Sequence, residues 1–170
     1  DDMFKNTGGT FCGKEVVQLY VSAPCGKADK PYQELAAYEK TPLLNPGESA
    51  VLNITFDMKD IASYEPSCAC RILDKGEYYV RVGKNSRDTS IEAVVLVEDT
   101  IVTEKLKNLF AQDKPFEEMT NPNSERQITD FNPDDKTQAA EAVKLVLESS
   151  AVACREVEYT KEHTLLEDKD

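Results

Sequence analysis

The chain has 170 residues and a mass of 19.0 kDa, room for one core and an appendage. Apolar residues make up 40%, and no run reaches the roughly 20 consecutive apolar residues that a membrane-spanning helix needs. Twenty basic against 32 acidic side chains leave a net charge of −12, which argues against nucleic acid and anionic membrane surfaces as partners.

Residues 1–98 hold 11 basic and 15 acidic side chains; residues 99–170 hold 9 and 17. The shorter second region is twice as acidic, so two regions with different duties are expected. The first, residues 1–98, alternates strand-like runs with turn signals, the pattern of an all-β sandwich. Asn6-Thr7-Gly8-Gly9 reads as a turn. Residues 15–22 then place Val17, Leu19 and Val21 on one face, with Val16, Gln18 and Tyr20 on the other. A weaker strand is expected at 34–40. Asn45-Pro46-Gly47 has the composition of a type II turn, with proline where φ is preset and glycine where φ must be positive. Residues 50–56 put Leu52, Ile54 and Phe56 inward, and a short helical turn is a candidate between Met58 and Tyr64. After the Asp74-Lys75-Gly76 turn, residues 77–83 put Tyr78, Val80 and Val82 opposite Tyr79 and Arg81, and residues 91–97 bury Ile91, Ala93, Val95 and Val97. Tyr78 is expected in the core, its phenol oxygen satisfied at a strand corner as in immunoglobulin-like domains. That makes five good strands and a stub, fewer than a seven-stranded sandwich needs. An exposed sheet edge invites pairing, so either another segment covers it or the chain is an N-terminally truncated piece of a longer polypeptide.

Residues 99–136 read as an extended linker, polar and containing Pro115, Pro122 and Pro133, with a short helix as a candidate at Thr103 to Ala111. Leu106, Leu109, Phe110, Phe116 and Met119 would anchor it. Apolar side chains at 139, 140, 143, 146 and 147 predict one short α-helix over 137–151, capped by Asp134, Asp135 or Thr137. Residues 152–170 form a charged tail.

The candidate chemistry is thin. Catalysis by paired carboxylates needs two acids held a few ångströms apart in environments that separate their pKa values. Glu117-Glu118 and Asp134-Asp135 sit in polar sequence and read as solvated charges. Asp130, Asn132, Asp134 and Glu141 match the oxygen positions of an EF-hand loop. Asp135 stands where that loop needs glycine, however, and Pro133 stiffens it, so a helix cap explains the acids more simply. Cys68-Ala69-Cys70 is too tight for zinc. A strained disulfide there is the lesser reading, and five reduced thiols, Cys12, Cys25 and Cys154 included, is the simpler one, which favours a cytoplasmic location. His163 has no nucleophile framework around it. No catalytic residue, metal or cofactor is expected in this chain. Tyr20, Tyr32, Tyr38 and Tyr79, beside Arg81, are the interface candidates, exposed aromatics able to dock a neighbouring domain or sugar rings.

Five blocks in order carry a resemblance. They are Asn6-Thr7-Gly8 with Gly13 to Val21, Lys30-Pro31-Tyr32-Gln33-Glu34-Leu35, Leu44 to Ser49, Gly76 to Gly83, and Ser86-Arg87-Asp88. Together they resemble the fibronectin type III-like domain of glycoside hydrolase family 3, the β-glucosidases and relatives. Glu98 to Leu106 followed by Lys114-Pro115-Phe116-Glu117 is similar to the linker of a permuted subgroup, in which this domain lies between an α/β-sandwich domain and a (β/α)8 barrel. The resemblance implies a middle fragment of a larger enzyme that hydrolyses terminal β-glucosides with retention. Its partners would be the neighbouring catalytic domains, and its role non-catalytic, holding those domains in register. The rival expectation is a free-standing immunoglobulin-like adhesion or carbohydrate-binding module. Departures from the family are the absent first strand, most of the second, and Cys70-Arg71 where an aromatic is usual.

Overall fold

The computed structural model describes residues 2–24, 30–109, 132 and 134–158. In chain order its strands are β1 (Asp2–Lys5), β2 (Val16–Ser22), β3 (Glu34–Lys40), β4 (Ser49–Leu52), β5 (Ser63–Glu65), β6 (Cys70–Leu73), β7 (Gly76–Asn85), β8 (Asp88–Val97) and β9 (Ile101–Lys105). Helix α1 (Asp134–Glu141) and strands β10 (Val143–Leu147) and β11 (Arg155–Glu156) follow. A five-stranded sheet, β10-β8-β7-β2-β3, packs against a four-stranded one, β11-β9-β6-β5, while β1 and β4 form a separate antiparallel pair. The fold is the all-β, fibronectin type III-like sandwich that the alternating runs predict.

The core between the sheets follows from that alternation. Leu19, Val21 and Ala23 meet Leu73, Tyr78, Val95, Val97 and Ile101, with Ile61 and Ala62 from a 3-10 turn at Met58–Ile61 closing one end. Tyr78 has no exposed surface, and its hydroxyl donates to the Asp74 carbonyl at 3.0 Å, the expected corner bond. Lys30 reaches the same corner and pairs with the Asp74 carboxylate at 2.6 Å with both side chains largely buried. The flanking turns also form as read. Gly47 has φ +80° and the Glu48 amide donates to the Asn45 carbonyl at 2.9 Å, completing the type II turn. Gly76 has φ +142° and lies against Pro24, so an added Cβ there would fall 2.7 Å from the proline ring.

The structure departs from the sequence expectations where pairing overrides local pattern. The helix expected over 137–151 occupies Asp134–Glu141 instead, and Val143–Leu147 is a strand lying parallel to β8. Val143, Leu145, Val146 and Leu147 suit either conformation, and the free edge of β8 satisfies their backbone groups. The segment expected to be an extended linker from residue 99 begins with β9, not with a helix near Thr103, because β6 offers that stretch an antiparallel partner. Its expected anchors Leu106 and Leu109 are half-buried and exposed, and Phe110, Phe116 and Met119 lie outside the described residues. The run at 50–56 stops pairing after Leu52, although Ile54 and Phe56 still pack inward. A bulge where β7 meets β8 skips Glu92, so Ile91 points away from Ala93, Val95 and Val97 onto the opposite face. Cys68 and Cys70 are joined by a disulfide, in place of the reduced thiols expected.

Candidate functional site

The outer face of the five-stranded sheet is the site with the most concentrated chemistry. In a two-layer sandwich that face would meet water. Here β7 carries Tyr79 and Arg81 on it, and both are buried, at 7% and 1% exposure. The cover is α1, whose Ala139 packs with Tyr79, Ile91 and Val94, flanked by Tyr32 and Ala142. An eight-residue helix is too short to persist alone in water, so docking must hold it.

Charge makes the docking specific. Asp135, fully buried in the first turn of α1, accepts from both terminal nitrogens of Arg81, at 3.0 Å from Nη1 and 2.6 Å from Nη2. Arg81 Nε donates to the Ser22 hydroxyl at 2.7 Å. The remaining acceptor positions of Asp135 take the Tyr32 hydroxyl at 2.7 Å and the Asn132 amide at 3.1 Å. The guanidinium carbon also lies 4.7 Å from the centre of the Tyr32 ring, a cation–π contact. Gln138 adds a further bond, accepting from the Ile91 amide at 2.9 Å beside the bulge. Burial, and then the hydrogen bond to Asp135, raise the Tyr32 phenol above its ordinary pKa. Burial and the Glu77 carboxylate push Tyr79 up to about 12.

This arrangement holds a fold together and leaves nothing free for catalysis. Both carboxylate oxygens of Asp135 are filled by fixed donors, so it has no lone pair for a substrate and no water to activate. Asp135 serves as an ion-pair partner; the Asp134 amide donates instead to the Asn132 side-chain oxygen at 3.2 Å. Of the five interface candidates, Tyr38 is exposed at 67% and Tyr32 half-buried, while Tyr20, Tyr79 and Arg81 lie inside. Three of these five, then, are not the exposed surface expected of them. Tyr32, Tyr79 and Arg81 do line an interface, but an internal one, against the chain's own helix. Asp135, read from the sequence as a solvated charge or a helix cap, is instead fully buried and paired with Arg81, while Ser22 and Gln138 went unmarked. The available signal was an arginine central in an apolar strand, which demands a buried partner.

Two clefts open on the described surface. One of 780 Å³ runs past Phe4, Phe11, Val82 and Lys84, with Glu15, Asp88 and Glu92 exposed around it. The other, of 430 Å³, is polar, and Glu104 lies in it between Arg71 at 3.6 Å and Arg155 at 3.7 Å. Neither holds a sequestered carboxylate pair.

The segment from α1 onward binds both sheets. Strand β10 adds to β8, and β11 adds to β9 in the other sheet, each in parallel. With this geometry in view, comparison with known proteins is decisive for the domain. Residues 15–86 match the fibronectin type III-like domain family. These residues form a fibronectin type III-like domain, and the relatives and solved structures that the chain resembles are β-glucosidases. The chain is 43% identical to β-glucosidase A of Butyrivibrio fibrisolvens over 59% of its own length, and 31% identical to thermostable β-glucosidase B of Acetivibrio thermocellus over 68%. A solved β-glucosidase from Paenibacillus barengoltzii superposes with a TM-score of 0.61 at 33% identity, covering 72% of this chain and 15% of that one. β-Glucosidase 3B of Thermotoga neapolitana, solved with α-D-glucose, gives 0.52 at 43% identity over 59% of this chain and 14% of that one. The fibronectin type III-like domain and its following segment span 13% and 15% of the length of the two curated relatives.

Proposed function

We propose that this chain is the non-catalytic brace of a family 3 glycoside hydrolase whose reaction is retaining hydrolysis of terminal β-glucosides. The brace keeps neighbouring catalytic domains in register, in the permuted order where the sandwich lies between an α/β domain and a barrel. The single observation behind this reading is that the segment leaving the sandwich is not a loose tether. It is fastened through α1, β10 and β11 to both sheets and locked by the buried Arg81–Asp135 pair. Catalysis with groups drawn from separate domains tolerates little misplacement, and a fixed exit direction removes one source of it.

The isolated chain is therefore expected to release no chromophore from a chromogenic β-glucoside beyond a buffer blank. Turnover that survives repurification would contradict the brace. The carbohydrate-binding reading rests on Tyr38, the exposed tyrosine of the four considered. Saturable sugar binding by the isolated chain, lost in Tyr38→Ala, would favour it instead.

A further inference from the structure

The turn between β5 and β6 carries a group that the brace does not use. The Cys68–Cys70 disulfide closes across a single residue, with Cα atoms 5.3 Å apart. Cys68 is exposed, whereas Cys70 is buried at 2%. Ala69 between them has φ +47°, a left-handed conformation that disfavours any side chain larger than hydrogen. Loop-closure entropy grows with the number of residues enclosed, so a bridge over one residue is the weakest of staples. Exchange asks for something else, a disulfide sulfur that a thiolate can reach, and Cys68 provides it.

We propose that Cys68–Cys70 is a thiol–disulfide exchange site for a low-molecular-weight thiol of the glutathione class. The incoming thiolate attacks Sγ of Cys68 and forms a mixed disulfide there. The Cys68–Cys70 bond breaks, and the Cys70 sulfur departs as a thiolate and takes up a proton. A second thiolate attacks the small molecule's sulfur, and Cys68 leaves and is protonated in turn. The protein disulfide thus gains two electrons, and two small thiols supply them as they join into their own disulfide. The oxidised small molecule runs the sequence backwards.

Exchange has a defined place to act. The Ala69 carbonyl accepts from the Leu106 amide at 2.8 Å, and Cys70 pairs in register with Lys105, where β9 ends. The Lys105 carbonyl in turn accepts from the Val157 amide at 3.0 Å, next to β11. Opening the bridge frees Ala69 from its left-handed conformation, and the bond at Leu106 loosens first.

The test uses the full chain with the other three cysteines replaced, Cys12→Ser, Cys25→Ser and Cys154→Ser, in graded mixtures of reduced and oxidised glutathione. Free thiols are trapped by alkylation and weighed by mass spectrometry while circular dichroism follows the fold. The pair is expected to pass from disulfide to two alkylated thiols with the dichroism unchanged. Amide exchange at Leu106 should then be about ten-fold faster in the reduced form, as for a local opening. In a Cys70→Ser chain, oxidised glutathione should add once, on Cys68. Two free thiols persisting in oxidised glutathione, reduction only as the dichroism collapses, or an unchanged Leu106 would each overturn the proposal. None of these outcomes depends on whether the chain braces an enzyme.

Discussion

Replacing Asp135 with alanine is expected to destabilise the docked chain by about 3–5 kcal/mol, the usual cost of stranding one partner of a buried ion pair. The strain falls on Arg81, which keeps its bond to Ser22 but loses both bonds to the carboxylate. The chain has one escape. If α1 lifts off, Arg81 rehydrates, so the loss is capped at the free energy of docking. The substitution should therefore free α1 and β10 before the sandwich itself melts. Urea unfolding followed at separate probes on the sandwich and on α1 reads this directly, as two transitions in Asp135→Ala where the parent shows one. The paired replacement Arg81→Met with Asp135→Leu should recover most of the loss, because a well-packed apolar pair of similar size can stand in for a buried ion pair. Coincident transitions in Asp135→Ala with stability unchanged would mean that the pair contributes nothing to docking.

The second large effect lies between the two sheets. Tyr78→Ala should cost about 3–5 kcal/mol, the range for emptying an aromatic site in a core. Tyr78→Phe keeps the ring and removes the hydroxyl that the Asp74 carbonyl accepts, and should cost about 1–2 kcal/mol. Alkaline pH gives an independent reading of the same burial. Desolvation first, and then the Asp74 carboxylate, raise the Tyr78 phenol above its ordinary pKa; Tyr32 and Tyr79 are raised as well. An unfolded tyrosine loses its proton near pH 10, before the folded one does, so the stability these phenols contribute is complete below pH 10. It then drains away as pH rises toward the folded values, about 12 for Tyr79. The urea midpoint should fall over that interval, and fall less steeply in Tyr78→Phe. A midpoint flat from pH 10 to 12 would contradict the burial of these rings.

The sandwich was readable in the sequence because three of its strands, β2, β7 and β8, hold a period of two long enough to stand out from their turns. Short strands escaped for the opposite reason. Cys70–Leu73 and Ile101–Lys105 offer four and five residues, and charged Arg71, Glu104 and Lys105 disguise the alternation. At 143–147 the apolar residues fit a helix and a strand alike, and only the free edge of β8 decides between them. The flip of Ile91 depends on a bulge, which inserts a residue without any compositional mark. Least legible was the ion pair. Arg81 and Asp135 stand 54 residues apart, and no local rule relates a strand arginine to an acid at the start of a distant helix.

The claim that matters most is that residues 134–147 belong to the sandwich, α1 covering its outer face and β10 extending the five-stranded sheet. Native-state hydrogen exchange on the intact chain addresses it most directly. Amides of β10, above all those paired with Val95 and Leu96, should exchange with protection within about ten-fold of the β7–β8 amides, since they open with the same unit. Exchange of β10 at the rate of free peptide, beside a fully protected β7–β8 pair, would show that the segment does not dock and that nothing in this chain fixes the direction of its exit.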